Sequence, residues 1–239
     1  MKKRIKYSIS TTLAVILILV TFVGFYYYSI IQKVESDDPF VWESNIQEFE
    51  KQDINLPPPT GAILFIGSSS IKFWSTLSED MKPLPVINRG FGGAKVADVI
   101  HFLPRIVFAY KPKVVVFYAG DNDISMGKKQ SAEEVLTNYE SFVYMLHNQL
   151  PNTKIYFISI KPSVNRWQYW QEMDKANQLI QAFSNKNEKL GFIDISSSML
   201  NAVSEPRDDI LIWDGIHMND EGYKIWTSIV KPILEKHYQ

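Results

Sequence analysis

Residues 62–74 read AILFIGSSSIKFW, and this stretch decides the fold. Its first five residues form an apolar run without charge, which is typical of a strand buried on both faces of a parallel sheet. Three serines then break the strand, and an amphipathic, helix-like pattern begins at Ile71. Because open α/β sheets bind ligands at the carboxyl ends of their strands, a serine in this turn is a candidate nucleophile. A plain strand-to-helix turn with a serine N-cap is the alternative that the stretch alone leaves open.

Apolar strand patterns alternate with helical patterns from Gly61 to the end of the chain. The predicted strands are 62–66, 85–88, 113–118, 154–160 and 191–195, and the predicted helices are 96–110, 131–150, 167–187 and 220–236. Such alternation implies a parallel sheet with helices on both faces. We therefore predict a three-layer α/β/α, flavodoxin-like sandwich around a five-stranded parallel sheet.

The amino terminus differs from the rest of the chain. Lys2, Lys3, Arg4 and Lys6 precede residues 7–31, which carry no charge. At ~1.5 Å per residue this run is long enough to cross a hydrocarbon core of ~30 Å. The basic flank predicts that the amino terminus lies in the cytoplasm and that the remaining chain lies outside the cell membrane.

A cleaved signal peptide is the alternative for this segment. The tyrosines 26–28 and the residues after them offer no small-residue cleavage site, which favours an uncleaved anchor. We predict a signal anchor at 1–34, a juxtamembrane stalk at 35–60 with an amphipathic helix at 40–53, and a folded domain at 61–239.

Composition excludes several classes of function. The chain has no cysteine, so disulfides, thiolate metal sites and a cysteine nucleophile are excluded. Four of the 25 basic residues lie in the amino-terminal flank, which leaves 21 basic residues against 26 acidic residues in the rest of the chain. The predicted outer part is therefore mildly acidic. Nucleic-acid binding depends on phosphate neutralisation, and we expect no nucleic-acid partner.

Three further polar or glycine-rich stretches each follow a predicted element on the same edge of the sheet. Residues 90–93 can present backbone N–H donors, and the Asn122 amide can donate to a developing oxyanion. Asp214 stands three residues before His217, close enough to hold one imidazole nitrogen while the other faces a hydroxyl. Ordinary turns are the alternative for the first two stretches. The remaining histidines are weaker candidates for a base, because they lie in helical patterns or the tail: His101, His147 and His237.

The four blocks IGSSSIKFW, NRGFGG, YAGDND and DGIHMNDEGY resemble those of the SGNH hydrolases, also called GDSL-type esterases and lipases. The order and spacing are similar from about Gly61 to the last helix, and the blocks look most like the platelet-activating-factor acetylhydrolase branch. The resemblance implies that Ser69 is the nucleophile, His217 the general base and Asp214 the residue that orients it. It also implies an oxyanion hole made by the backbone N–H groups of Ser69 and Gly93 and by the side chain of Asn122.

The chain departs from the family pattern at Ser68, where the family usually has Asp. Three consecutive serines leave the register open, so Ser68 and Ser70 remain alternative nucleophiles. Asp123, which follows the Asn, is expected to support its loop. Arg166 and Trp167 follow the fourth strand and are candidate substrate contacts, although Trp167 could instead begin a helix and pack inward.

These observations predict a membrane-anchored serine esterase that acts on short acyl esters, including O-acetyl groups of envelope or exported glycans. A lysophospholipase or thioesterase is the alternative with the same chemistry, and a non-catalytic glycan-binding envelope protein is the alternative from another class. No cofactor is expected. Asp121, Asp123 and Asp214 do not have the spacing of an EF-hand, so no metal is expected either. Arg89 is expected to pair with a carboxylate rather than with a substrate.

Overall fold

The computed structural model describes the backbone of residues 2–238 and the side chains of residues 12–238. The strands are Ile63–Gly67 (β1), Val86–Gly90 (β2), Val114–Tyr118 (β3), Lys154–Ile158 (β4) and Leu190–Ile193 (β5). The helices are Lys2–Glu35 (α1), Glu43–Asn55 (α2), Ser69–Lys72 (α3), Leu77–Asp80 (α4), Val96–Ile106 (α5), Asp121–Ser125 (α6), Ala132–Gln149 (α7), Trp170–Ser184 (α8) and Asp220–His237 (α9). Strands and helices therefore alternate as the sequence predicts.

The five strands form one parallel sheet in the order β2-β1-β3-β4-β5. This order confirms the predicted α/β class and is that of flavodoxin-like sheets. Gly67, the last residue of β1, pairs with Gly90 on one side and with Tyr118 on the other. The chain leaves β1 and β3 in opposite directions, and at such a switch point a crevice opens at the carboxyl ends of the strands.

Side chains of β1 alternate between two apolar cores, one on each face of the sheet. Leu64 and Ile66 pack into the core that also holds α2, α5, α7 and α8. Ile63 and Phe65 pack into the core that holds α3 and α9. Because both faces are covered, every residue of this strand is buried, which explains its uninterrupted apolar sequence.

Helix α1 contains one stretch, Thr12–Glu35, that is long and apolar enough to cross a membrane. The 18-residue apolar window within that stretch has no buried residue, whereas Val34 near its end is partly buried against the domain core. The basic side chains of residues 2–6, on which the predicted orientation depends, lie outside the described side chains. The ends of the predicted segments, Met1 and Gln239, lie outside the described residues as well.

The segment predicted as a stalk, 35–60, packs against the domain instead of standing apart from it. Trp42 and Ile46 are buried in the same core as α5 and β1. The amphipathic pattern predicted a helix at 40–53, and α2 covers most of that range. The sequence did not indicate how completely its apolar face is covered.

Ion pairs hold the polar side of α2 to the domain. Arg105 on α5 donates to Glu43 at 2.7 Å and to both oxygens of Glu50 at 2.6 and 2.7 Å. Arg89 pairs with Asp53 at the other end of the helix. Arg89 therefore meets a carboxylate of the chain, as expected.

Candidate active site

Gly67 makes the sharp turn that presents Ser69. Its φ is +128°, and a Cβ on this residue would lie 1.8 Å from the carbonyl oxygen of Tyr118. Only glycine fits there, because any side chain would separate β1 from β3. The turn makes Ser69 the first residue of α3, so that its N–H has no acceptor within the helix.

The loop before α9 holds its own aspartate and histidine together. Asp214 Oδ1 accepts the backbone N–H groups of Ile216 and His217, both at 2.9 Å. Asp214 Oδ2 lies 2.6 Å from Nδ1 of His217, and Nε2 of the same ring lies 2.9 Å from Oγ of Ser69. A carboxylate can only accept here, so Nδ1 carries the proton and Nε2 faces the serine hydroxyl as an acceptor.

The environment keeps this pair in a reactive protonation state. Burial lowers the pKa of His217 below its ordinary value of 6.5; the bond to Asp214 opposes this shift, and the nearby charge of Lys161 adds to it. Burial acts to raise the pKa of Asp214, but the bonds from the His217 ring and from two backbone N–H groups outweigh it, and its pKa is lowered. At neutral pH the imidazole is neutral and the carboxylate charged, which is the state that a general base requires.

The structure also fixes which of the three serines meets the histidine. Ser68 and Ser70 are buried beside Ser69. Of these three serines, Ser69 is the one whose hydroxyl hydrogen-bonds to the imidazole in the described part of the chain. The register inferred from the resemblance is therefore the one that the geometry favours.

The predicted oxyanion donors face the same cleft. Gly93 and Asn122 line it together with Ser69 and His217. In the part of the chain that the structure describes, neither the Gly93 nor the Ser69 N–H donates to another group. Two backbone donors are thus available beside the serine oxygen, next to an amide side chain.

Arg166 holds the Asn122 side chain in one orientation. Its guanidinium donates to Oδ1 of Asn122 and to Oδ2 of Asp121, each at 2.9 Å. An arginine can only donate, so the amide oxygen must face it and the NH₂ group must point away. That NH₂ donates one proton to the carbonyl of Ala94 at 3.2 Å, and the other proton remains for an oxyanion.

The two candidate substrate contacts, Arg166 and Trp167, lie in different surroundings. Arg166 lines the cleft, and two of its five N–H donors bond to the side chains of Asp121 and Asn122. Trp167 stacks on Trp170 with ring centroids 5.9 Å apart. It is not among the described side chains that line the cleft.

Sequence reasoning assigned no role to Lys161, which lies directly beneath the histidine loop. Its side chain is buried, and Nζ donates to the carbonyl of Ile216 at 2.5 Å. Burial lowers its pKa to about 8. A lysine at the end of an apolar strand pattern was the only available signal, and that pattern does not distinguish a buried amine from an exposed one.

Asp123 supports its loop, as its position predicted. The carboxylate is buried and accepts the N–H of Val96 at 3.1 and 3.3 Å. Burial raises its pKa to about 7. This bond links the loop after β3 to the first turn of α5, just past the Gly93 loop.

The other histidines and carboxylates form no second centre in the described part of the chain. His101 contacts the rings of Phe40 and Phe102, and His147 bonds to the carbonyl of Thr153. His237 lies against Tyr156. Among the described residues, no group of three or more His, Asp or Glu side chains could hold a metal ion.

Known proteins are similar to this chain in sequence and in fold. A family model described as GDSL-like lipase/acylhydrolase matches residues 67–225. The platelet-activating factor acetylhydrolase IB subunit alpha2 of Rattus norvegicus is 25% identical over 182 residues, covering 72% of this chain and 74% of the relative.

Two solved structures share the fold. A GDSL-like lipase from Bacteroides thetaiotaomicron superimposes with a TM-score of 0.68 at 22% identity, covering 80% of this chain and 98% of that one. The acetyl xylan esterase AlAXEase superimposes with a TM-score of 0.62 at 21% identity, covering 72% of this chain and 99% of that one.

Proposed function

Because the chain belongs to the GDSL-like lipase/acylhydrolase family, we propose that it is a membrane-anchored serine esterase that hydrolyses carboxylic esters through an acyl-enzyme on Ser69. The observation that carries the proposal is the hydrogen-bonded series from Asp214 through His217 to Ser69. In this proposal α1 is the anchor, and the basic residues before it support a catalytic domain outside the cell membrane.

The reaction follows from the positions of the side chains. His217 Nε2 takes the hydroxyl proton of Ser69 while Oγ attacks the ester carbonyl. The oxyanion that forms accepts the N–H groups of Ser69 and Gly93 and the free proton of the Asn122 amide. His217 returns the proton to the leaving alcohol. Water then attacks the acyl-enzyme with the same base and releases the acid.

We propose that the acyl group is acetyl or similarly short. Asn122, held by Arg166, lines the cleft of about 480 Å³ together with Ser69. The rat relative is named an acetylhydrolase and the structural neighbour an acetyl xylan esterase, which supports a short acyl group. The alcohol part is a glycan or lipid of the cell envelope.

A fluorophosphonate probe and a nitrophenyl acetate assay test the proposal on the full chain in membranes. The wild type is expected to take one label on Ser69 and to release nitrophenol. Ser69→Ala is expected to lose both, whereas Ser70→Ala is expected to keep both. An unlabelled wild type would favour a non-catalytic binding protein, and an active Ser69→Ala variant would contradict the assignment of the nucleophile.

A further inference from the structure

The loop that carries the Gly93 N–H packs against the segment that joins α1 to α2. We call residues 91–95 the oxyanion loop and residues 34–42 the junction segment. A Cβ on Gly93 would lie 2.5 Å from a methyl carbon of Val34. A side chain at this position would force the two segments apart, so glycine permits their direct contact.

Lys95, at the end of the oxyanion loop, ties the two segments together through a buried charge. Only 4% of its side chain is exposed. Its ammonium group donates to Oδ1 of Asp37 at 2.7 Å and to the carbonyl of Ser36 at 3.1 Å. In the described part of the chain, both hydrogen-bond acceptors of this ammonium group therefore belong to the junction segment. A buried charge that loses its partner destabilises the arrangement around it, so Asp37 favours the present position of the loop.

Trp42, the last residue of the junction segment, makes a second link at the point where the loop enters α5. Its Nε1 donates to Oδ2 of Asp98 at 3.2 Å, and the same oxygen accepts the backbone N–H of Lys95 at 2.8 Å. A Cβ on Gly92 would lie 2.7 Å from the Trp42 ring. The junction segment thus contacts the oxyanion loop along its length.

The oxyanion loop controls two of the three proposed oxyanion donors. Gly93 supplies its own N–H, and the carbonyl of Ala94 accepts one proton of the Asn122 amide at 3.2 Å. A displacement of the loop would misdirect both donors, whereas Ser69 and His217 lie on other elements. Such donors stabilise the transition state only when they are aimed at the position of the developing charge. Contacts that fix the loop therefore act on turnover more than on substrate binding.

We infer that the junction segment is a positioning part of the active site, in which Asp37 acts through Lys95 to hold the oxyanion loop where it presents the Gly93 N–H. The segment precedes residues 67–225, which the family model matches. Neither Asp37 nor Lys95 is among the described residues that line the cleft. The inference rests on the proposed esterase function and adds to it a role for the segment between the proposed anchor and the catalytic domain.

The variant Asp37→Asn tests the inference in the full chain reconstituted in phosphatidylcholine vesicles. It is expected to lower kcat for nitrophenyl acetate by about three- to tenfold, with KM changed less than about twofold, because the loop loses part of the contribution of its oxyanion donors. Glu35→Gln is the matched control, since it removes the same charge two residues away. Glu35 forms no ion pair within the described residues, and kcat is expected to stay unchanged.

A double-mutant cycle tests the route through Lys95. Lys95→Met is expected to lower kcat as well. Adding Asp37→Asn to that variant is expected to have no further effect, because residues that act through one contact are not additive. Thermal melting shows whether each variant is folded.

Hydrogen exchange of peptides that cover residues 91–98 gives a readout that requires neither catalysis nor the Lys95 variant. Exchange is expected to be faster in Asp37→Asn than in the wild type and unchanged in Glu35→Gln, because the bonds around Lys95 loosen.

Four results would overturn the inference: an unchanged kcat in Asp37→Asn, an equal loss in Glu35→Gln, a raised KM with an unchanged kcat, or additive losses in the double variant. Unchanged exchange in Asp37→Asn would overturn it independently of activity. Failure of the wild type to label with fluorophosphonate would overturn the esterase function itself, so the two failures are distinguishable.

Discussion

Asn122 can act as an oxyanion donor only in one of its two amide orientations, and Arg166 selects that orientation. The guanidinium occupies the amide oxygen and leaves the NH₂ group directed toward Ala94 and the cleft. The sequence indicated that Arg166 lies on the active edge but not what it contacts. Its place in the site is that of a positioning residue that acts through Asn122.

Arg166→Gln is expected to lower kcat for nitrophenyl acetate by about ten- to a hundredfold with little change in KM. Complete loss of one oxyanion donor costs roughly 10²–10³ in turnover, and a misdirected amide loses part of that. Steady-state kinetics measure both parameters. Arg207→Gln is the matched control, because Arg207 pairs only with Asp209 on the surface. A raised KM with an unchanged kcat would instead make Arg166 a substrate contact.

Burial first, and then the charge of Lys161, lower the pKa of His217, so Lys161 is expected to contribute to the acid limit of activity. The general base must be neutral, so kcat/KM falls as the pH drops through the pKa of His217, which lies below 6.5. The Lys161 charge is one cause of that lowering. Lys161→Met removes the charge, so the pKa of His217 rises and the acid limb of the profile moves to higher pH.

A pH profile of kcat/KM on nitrophenyl acetate measures this shift. Lys224→Met provides the control, because Lys224 is exposed and pairs with Glu221 on α9. Thermal melting shows whether the Lys161 variant is folded. A folded variant whose acid limb stays in place, or moves to lower pH, is incompatible with this role of Lys161.

At the level of elements, the sequence predicts the strands and helices whose patterns follow from burial. It does not predict features that depend on contacts between residues far apart in the chain. The run before Gly67 is buried on both faces, so its pattern located β1 and the nucleophile turn. The predicted helix from Trp167 starts three residues later, at Trp170. A 3₁₀ turn precedes it, because Asn165 donates its side-chain amide to the carbonyl of Asp214 at 2.6 Å. No local pattern reports a bond to a loop 49 residues away.

The same difference between local patterns and distant contacts applies to the active site and to the segment packed beside it. The serine turn, Asn122 and His217 could be located because each follows a recognisable strand or precedes a recognisable helix, and the family resemblance then assigned the role of nucleophile to Ser69. The stalk was inferred from charge and proline content, but its Trp42 reaches the core and its Asp37 pairs with Lys95 at 2.7 Å. Those contacts depend on the shape of the folded domain, which the segment's own composition does not contain.

At the scale of the whole molecule, the proposal that α1 is a membrane anchor makes the orientation of this helix decide on which side of the membrane the serine lies. The basic flank before residue 7 and the acidic residues Glu35, Asp37 and Asp38 lie at opposite ends of the helix. Positive charge is retained on the cytoplasmic side, so the domain is expected outside. Because Val34 contacts the Gly93 loop, the serine must lie on the side where α1 emerges.

The absence of cysteine from the chain allows a direct test with single cysteines in intact cells. Val203→Cys, on an exposed loop of the domain, is expected to react with a membrane-impermeant maleimide. Lys3→Cys is expected to react only after the cells are permeabilised, and the labelled protein should keep the full mass of 27.6 kDa. A chain shortened by about 4 kDa would indicate cleavage after α1, at roughly 110 Da for each residue up to Glu35. Labelling of Lys3→Cys in intact cells would reverse the topology and place the esterase on the cytoplasmic face.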